Sequence, residues 1–111
     1  MNYSQITDSL YVGRTPRPES YDELRALGVE LVINMRVERR PFEDPGEIPM
    51  DVLWLPSFDS PLIPIPIRFL VRGAKAAMKT LEGGGKVYVH CAGGVHRGVA
   101  MGTAILIAQG Y

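Results

Sequence analysis

The stretch at residues 87–98 reads VYVHCAGGVHRG and joins three local patterns. Residues 86–90 are mostly apolar and β-branched or aromatic, which predicts a buried strand. Gly93 and Gly94 favour a turn, and the apolar run from residue 95 to about 109 predicts a helix. A turn of this kind points successive amide groups into one cavity, and the helix adds its unpaired N–H groups and the positive end of its dipole. The stretch therefore predicts a binding site for a tetrahedral dianion such as phosphate.

Two side chains make this predicted site chemically reactive. Cys91 directly follows the strand, where the positive potential that attracts phosphate also stabilises a thiolate. Arg97 falls in the first turn of the helix, where its guanidinium can bind phosphate oxygens in a bidentate manner. A lone cysteine is usually a small buried apolar residue. With His90 and Gly94 at their present spacing, however, the pattern arises by chance about once in ten thousand positions. The residues favour phosphoryl transfer to sulfur.

Strands alternate with helices on both sides of this stretch. Pro18 suits the start of a helix and Gly28 its end, and Pro56 is expected to stop a strand. The fold class predicted from this alternation is α/β, with a single mainly parallel sheet of about four to five strands flanked by helices. One domain is expected to cover residues 1–111. The predicted strands are residues 10–12, 29–35, 52–55 and 86–90, the predicted helices are 19–27, 66–82 and 95–109, and 36–50 is a loop.

Composition excludes several classes of protein. The 111 residues carry 12 basic and 12 acidic side chains, so no excess of Lys and Arg exists to coat nucleic acid or an anionic membrane. With 46% hydrophobic residues the chain is not intrinsically disordered. Cys91 is the single cysteine, which excludes an internal disulfide, and no cluster at zinc spacing is present. No metal and no cofactor are predicted. Without a secretion signal or a membrane-length apolar run, a soluble cytoplasmic protein is expected.

At His90, Cys91, Gly94 and Arg97 the chain resembles the dual-specificity type of the cysteine-dependent protein tyrosine phosphatase superfamily, whose motif is H-C-x-x-G-x-x-R. Residues 10–13, 27–29, 32–35 and 55–56 follow the family's order, so the resemblance covers nearly the whole chain. It implies hydrolysis of phosphotyrosine, phosphoserine or phosphothreonine through a phosphocysteine intermediate. Cys91 would be the nucleophile and Arg97 the phosphate clamp. His90 would orient the loop and help stabilise the Cys91 thiolate; the alternative is a strand-end histidine that only satisfies backbone groups. The phosphate-binding loop would consist of Ala92, Gly93, Gly94, Val95, His96 and Arg97.

The resemblance also implies a general acid about thirty residues before the cysteine. Asp59 lies 32 positions before Cys91, in a proline-rich connection. A protonated carboxyl group there would protonate the leaving oxygen and then act as the base for water. The alternative is an ordinary loop aspartate that caps a turn. Asp51, at the start of a predicted strand, is less well placed.

Gly98 departs from the family pattern, which has Ser or Thr at this position. The missing hydroxyl would donate a hydrogen bond to the departing sulfur, so its absence implies slow breakdown of the intermediate. A catalytically impaired module that binds phosphorylated partners is therefore the second interpretation. Residues 32–38 and 87–91 also resemble the phosphatidylglycerophosphate phosphatase branch. A lipid or phosphoinositide phosphatase is therefore the third interpretation.

Three further features carry two interpretations each. Arg36, Arg39 and Arg40 either recruit anionic substrates or form an ordinary solvated loop. His96 either contacts substrate or faces solvent. Residues 99–108 are apolar or small on every side apart from Thr103, and family members cover this helix with further helices. Either the chain is truncated after this helix, or a second copy covers it in a homo-oligomer.

Overall fold

The computed structural model describes residues 3–58, 62–91 and 96–111, with the backbone alone at position 96. Eight elements follow one another along these ranges. The strands are β1 (Tyr3–Thr7), β2 (Leu10–Gly13), β3 (Val29–Arg36), β4 (Asp51–Ser57) and β5 (Lys86–His90). The helices are α1 (Ser20–Leu27), α2 (Ile67–Glu82) and α3 (His96–Ala108).

The strands form one sheet in the order β1-β2-β5-β3-β4. Only β1 is antiparallel to its neighbour, so the predicted α/β class with a mainly parallel sheet is confirmed. β5 lies between β2 and β3, and His90 pairs with Gly13 on one side and with Asn34 on the other. The carboxyl ends of four parallel strands therefore meet at one edge, next to residue 91. Open α/β sheets bind their ligands at this edge.

The sheet is covered on both faces. One apolar cluster packs α2 and α3 against the inner side chains of the strands, with Ile33, Leu55 and Met101 fully buried. The other cluster packs α1 on the opposite face around Tyr21 and Leu24. The prediction that residues 29–35 form a strand buried on both faces is confirmed, because all of them except Glu30 are buried.

The element boundaries agree with the predicted ones to within a few residues, with two corrections. Pro56 does not end β4, which continues to Ser57. β4 is an edge strand, and Pro56 falls at the irregularity in its pairing with β3, where a proline is tolerated. β1 was not predicted, because YSQIT has no apolar alternation and its side chains are mostly exposed. It forms through main-chain pairing with β2, and the Tyr3 ring packs edge-on against Tyr11.

α3 buries one side and exposes the other. Gly98 and Gly102 bring the helix close to Val12, because a Cβ at these positions would lie 3.0 and 3.2 Å from its methyl groups. On the outer side Val99 is 53% and Ile107 is 66% exposed. Association of copies through this face stays a prediction. Across the described ranges, no helix combines the length and apolar character needed to cross a membrane.

Candidate active site

Cys91 lies at the first position after β5 and is only 2% exposed. Its Sγ accepts a hydrogen bond of 3.3 Å from the backbone N–H of Gly98 in α3. An amide donor aimed at sulfur stabilises negative charge on it. The backbone supplies this donor whatever the side chain at position 98 is. β5 and the first turn of α3 therefore place the sulfur against the start of the helix, as the sequence predicts.

Arg97 lies in the first turn of α3 and is buried, with 2% exposure. Its Nη1 donates to the carbonyl of Ser57 at 2.7 Å and to that of Met35 at 3.3 Å. These carbonyls belong to the ends of β4 and β3, which pair with each other. The guanidinium therefore bridges the carboxyl ends of two strands and the start of a helix.

Glu38 holds the same guanidinium from the loop after β3. Its Oε1 accepts from Arg97 Nη1 at 2.8 Å and its Oε2 accepts from Nη2 at 3.0 Å. The hydrogen bonds from Arg97 lower the pKa of Glu38 to about 2, so the carboxylate stays ionised. A planar bidentate pair of this kind fixes the orientation of the guanidinium.

Sequence reasoning missed Glu38, which lies 59 positions before Arg97. The local signals were an acid among three arginines just beyond a predicted strand and its place at the end of residues 32–38. Neither signal identifies the partner, because the pairing depends on which strands are neighbours.

His90 is buried at the end of β5. Burial, with a smaller contribution from the charge of Arg36, lowers the pKa of His90 to about 3. The ring is therefore neutral near neutral pH. Its Nδ1 has no hydrogen-bond partner among the described residues. A neutral imidazole can supply one N–H donor to the loop beside it but no positive charge, which limits the role that the sequence suggested to hydrogen bonding.

The other predicted site residues lie outside the described residues. These are Asp59, Ala92, Gly93, Gly94, Val95 and the side chain of His96, and their roles stay predictions. Asp51, set aside as general acid, begins β4 and pairs with Leu31, whereas Ser57 at the other end pairs with Arg36. Six residues of strand span roughly 20 Å, so Asp51 belongs to the opposite edge of the sheet.

No protein-family model matches the chain. Mouse dual specificity protein phosphatase 14 is 32% identical over 104 residues, which are 94% of this chain and 50% of that protein. The chain thus spans about half the length of this curated relative.

Two solved structures share the fold of this chain, each at about one quarter sequence identity. Human DUSP28 is 25% identical with a TM-score of 0.80, covering 93% of this chain and 69% of that one. PTPMT1 in complex with PI(5)P is 27% identical with a TM-score of 0.81, covering 95% of this chain and 71% of that one.

A mainly parallel sheet whose central strand is followed directly by a cysteine, with a buried arginine in the next helix, is the arrangement of a cysteine-dependent phosphatase. Within that class the relatives and the motif place the chain more narrowly. They support its membership of the protein tyrosine phosphatase superfamily, as a member of the dual-specificity type.

Proposed function

We propose that this protein hydrolyses phosphomonoesters, of phosphotyrosine, phosphoserine or phosphothreonine, through a phosphocysteine intermediate and without a metal ion. The observation that carries the proposal is the shared position of Cys91 Sγ, the Gly98 amide and the Arg97 guanidinium at the carboxyl edge of the sheet. The similarity to mouse dual specificity protein phosphatase 14 supports it.

In the first step the Cys91 thiolate attacks phosphorus, a P–S bond forms, and the P–O bond to the leaving group breaks. Asp59 gives its proton to the leaving oxygen. Arg97 and the amides of residues 92–97 hold the charge on the equatorial oxygens, and the fixed orientation of the guanidinium makes this stabilisation preorganised. His90 supports the loop by hydrogen bonding.

In the second step water attacks phosphorus and the P–S bond breaks. The Asp59 carboxylate takes the proton from water, inorganic phosphate leaves, and the thiolate is restored. The Gly98 amide is a donor to the departing sulfur in the absence of a hydroxyl at that position. The cytoplasmic location expected from the single cysteine is part of the same proposal.

Two observations favour other substrates or a weaker activity. The PTPMT1 structure contains PI(5)P, which supports a phosphoinositide as the alternative substrate class. Gly98 supports a catalytically impaired module that binds phosphorylated partners, because no side chain at this position can assist sulfur departure.

Hydrolysis of an aryl phosphate in EDTA tests the proposal. The wild type is expected to turn over, and Cys91→Ser is expected to lose turnover by several orders of magnitude, because an alcohol is not ionised near neutral pH. The variant should still bind inorganic phosphate, measured by calorimetry. Substantial activity of Cys91→Ser would overturn the mechanism. If the wild type binds phosphate but does not turn over substrate, the protein is a phosphate-binding module and not an enzyme.

A further inference from the structure

An open cleft of about 460 Å³ lies at the carboxyl edge of the sheet and is lined mainly by arginines. They come from two separate segments, the residues after β2 and the residues at and beyond the end of β3. None of the described residues that line the cleft is a carboxylate. Its lining residues, called the arginine cleft below, are Arg14, Thr15, Arg17, Arg36, Arg39 and Phe42.

Among the described residues, most of the positive charge in this cleft has no carboxylate partner. Arg36 has a carboxylate partner, Glu38, at 3.4 Å. Within the described ranges, the guanidinium groups of Arg14, Arg17 and Arg39 form no ion pair. The chain carries equal numbers of acids and bases, so this is a local excess. Like charges gathered in one concave surface repel each other unless an anion lies between them.

Two contacts hold arginines of the cleft in place. Arg36 Nη1 donates to Thr15 Oγ1 at 2.8 Å, which joins the two segments. The guanidinium carbon of Arg39 lies 3.8 Å from the centre of the Phe42 ring, a cation–π contact. Guanidinium groups held in this way lose less conformational entropy when they bind an anion.

The arginine cleft adjoins Cys91 because of the strand register. Gly13 and Asn34 both pair with His90. Arg14 is one residue beyond Gly13, Arg36 is two beyond Asn34, and Cys91 is one beyond His90. Neighbouring strands are about 4.8 Å apart, so the cleft opens within about two strand spacings of the sulfur. The charge of Arg36 also contributes to the lowered pKa of His90, the residue before Cys91.

We propose that the arginine cleft binds a second phosphate group of the substrate, so that the preferred substrates are small organic bisphosphates. This inference rests on the proposed function, because it needs the first phosphate at Cys91. A phosphate monoester is a compact dianion that matches several guanidinium groups better than a single carboxylate does. The short separation of the two sites fits two phosphates on one small ring, whether free or as a lipid headgroup.

The first experiment compares phenyl phosphate with 1,3-phenylene bisphosphate at constant ionic strength. After the statistical factor of two is removed, the wild type is expected to favour the bisphosphate in kcat/KM by tenfold or more. Arg14→Gln and Arg39→Gln should each reduce this preference severalfold. Arg40→Gln and Arg72→Gln remove the same charge outside the cleft and should keep it. No preference in the wild type, or an equal loss in Arg40→Gln, would overturn the proposal.

A binding measurement separates this inference from the proposed function. Calorimetry with Cys91→Ser should show tighter binding of the bisphosphate than of phenyl phosphate by tenfold or more, and Arg39→Gln in that background should lose the difference. If the wild type hydrolyses neither compound and this difference in binding is present, the cleft proposal is supported and the proposed function is wrong. If the wild type hydrolyses both and the difference is absent, the proposed function stands and the cleft proposal fails.

A third comparison identifies the source of the second phosphate. Soluble inositol bisphosphate and the same headgroup on a lipid in mixed micelles are assayed with wild type and Arg39→Gln. Sensitivity to Arg39 in the soluble arm supports a free bisphosphate, and sensitivity in the micelle arm alone supports the headgroup. Preference for a doubly phosphorylated peptide over both would overturn the assignment to small bisphosphates.

Discussion

Arg97 brings a positive charge into the interior of the protein, where the carbonyls of Met35 and Ser57 and the carboxylate of Glu38 surround it. Taking a guanidinium out of water costs several kcal/mol, and only good hydrogen bonds and an opposite charge offset this cost. Ser57 is itself fixed, because its Oγ donates to the Met35 carbonyl at 2.8 Å. The residue predicted to clamp phosphate is therefore rigid before any phosphate binds.

Glu38→Gln removes the opposite charge while it keeps the shape of the side chain. We expect the free energy of unfolding to fall by about 1–3 kcal/mol, less than for a fully buried pair because Glu38 is 43% exposed. Phosphate should bind more tightly, since one negative charge near its site is gone, while kcat falls because the guanidinium is less well oriented. Lower KM together with lower kcat on an aryl phosphate checks this. A higher KM with unchanged kcat would contradict it.

Position 98 tests the slow second step. A Cβ there would lie 3.7 Å from Cys91 Sγ and 3.0 Å from a methyl group of Val12, so a serine hydroxyl can reach the sulfur after a small shift of Val12. We expect a burst near one equivalent in the wild type and steady-state turnover about tenfold faster in Gly98→Ser, with the burst unchanged. Gly98→Ala is the matched control, because it adds the Cβ without the hydroxyl. Equal acceleration by both variants would show that the hydroxyl is not the cause.

Among the secondary-structure elements, α3 packs closely against α2 and β2 because glycines lie at the points of contact. Gly73 in α2 faces Met101 in α3, and a Cβ at Gly73 would lie 2.6 Å from its terminal atoms and 3.1 Å from Leu55. Gly98 and Gly102 meet Val12 in the same way. This close packing fixes the start of α3, which carries Arg97 and the amide that contacts Cys91.

Gly73→Ala separates packing from helix propensity. Alanine in a helix interior is favoured over glycine by up to about 1 kcal/mol, but overpacking costs about 1–3 kcal/mol. We expect net destabilisation, measured by urea unfolding. In the Met101→Ala background the same change should be neutral or stabilising, because the space is then available. An equal effect in both backgrounds would show that Met101 is not the obstacle.

At the scale of the whole molecule, His90 links folding to pH. Its pKa is about 3 in the folded protein and near 6.5 when unfolded. Between these two pKa values the unfolded chain binds a proton at His90 that the folded protein does not bind. The free energy of unfolding therefore falls as pH decreases from about 6.5 toward 3. The carboxylate of Glu38 has a lowered pKa, about 2, so its contribution is lost only below about 4.5.

Between pH 6.5 and 4.5 we expect the free energy of unfolding to fall by about 1.4 kcal/mol per pH unit on account of His90. Denaturant unfolding at several pH values measures this slope, and His90→Asn should flatten it. An NMR titration of the His90 ring is a second measurement that needs no variant. Protonation of that ring near pH 6 would contradict the prediction.

The chain's own chemistry determined most of the fold. Residues 86–90 are apolar enough to form a central strand, two glycines follow at positions 93 and 94, and an apolar helix comes next. The α/β class and the positions of Cys91 and Arg97 could therefore be predicted. Local pattern also located α1, because Gly28 takes φ +92, a conformation that few other residues adopt. β1 escaped prediction, since main-chain pairing with β2 and not side-chain pattern holds it.

Tertiary structure alone decided which distant groups meet. Glu38 and Arg97 are 59 positions apart and pair only because β3 lies beside β5 and carries the loop with Glu38 toward α3. The arginine cleft arises in the same way, from the ends of β2 and β3 on either side of His90. Periodicity and spacing report contacts between near neighbours along the chain, whereas charge pairing across a sheet depends on strand order and register.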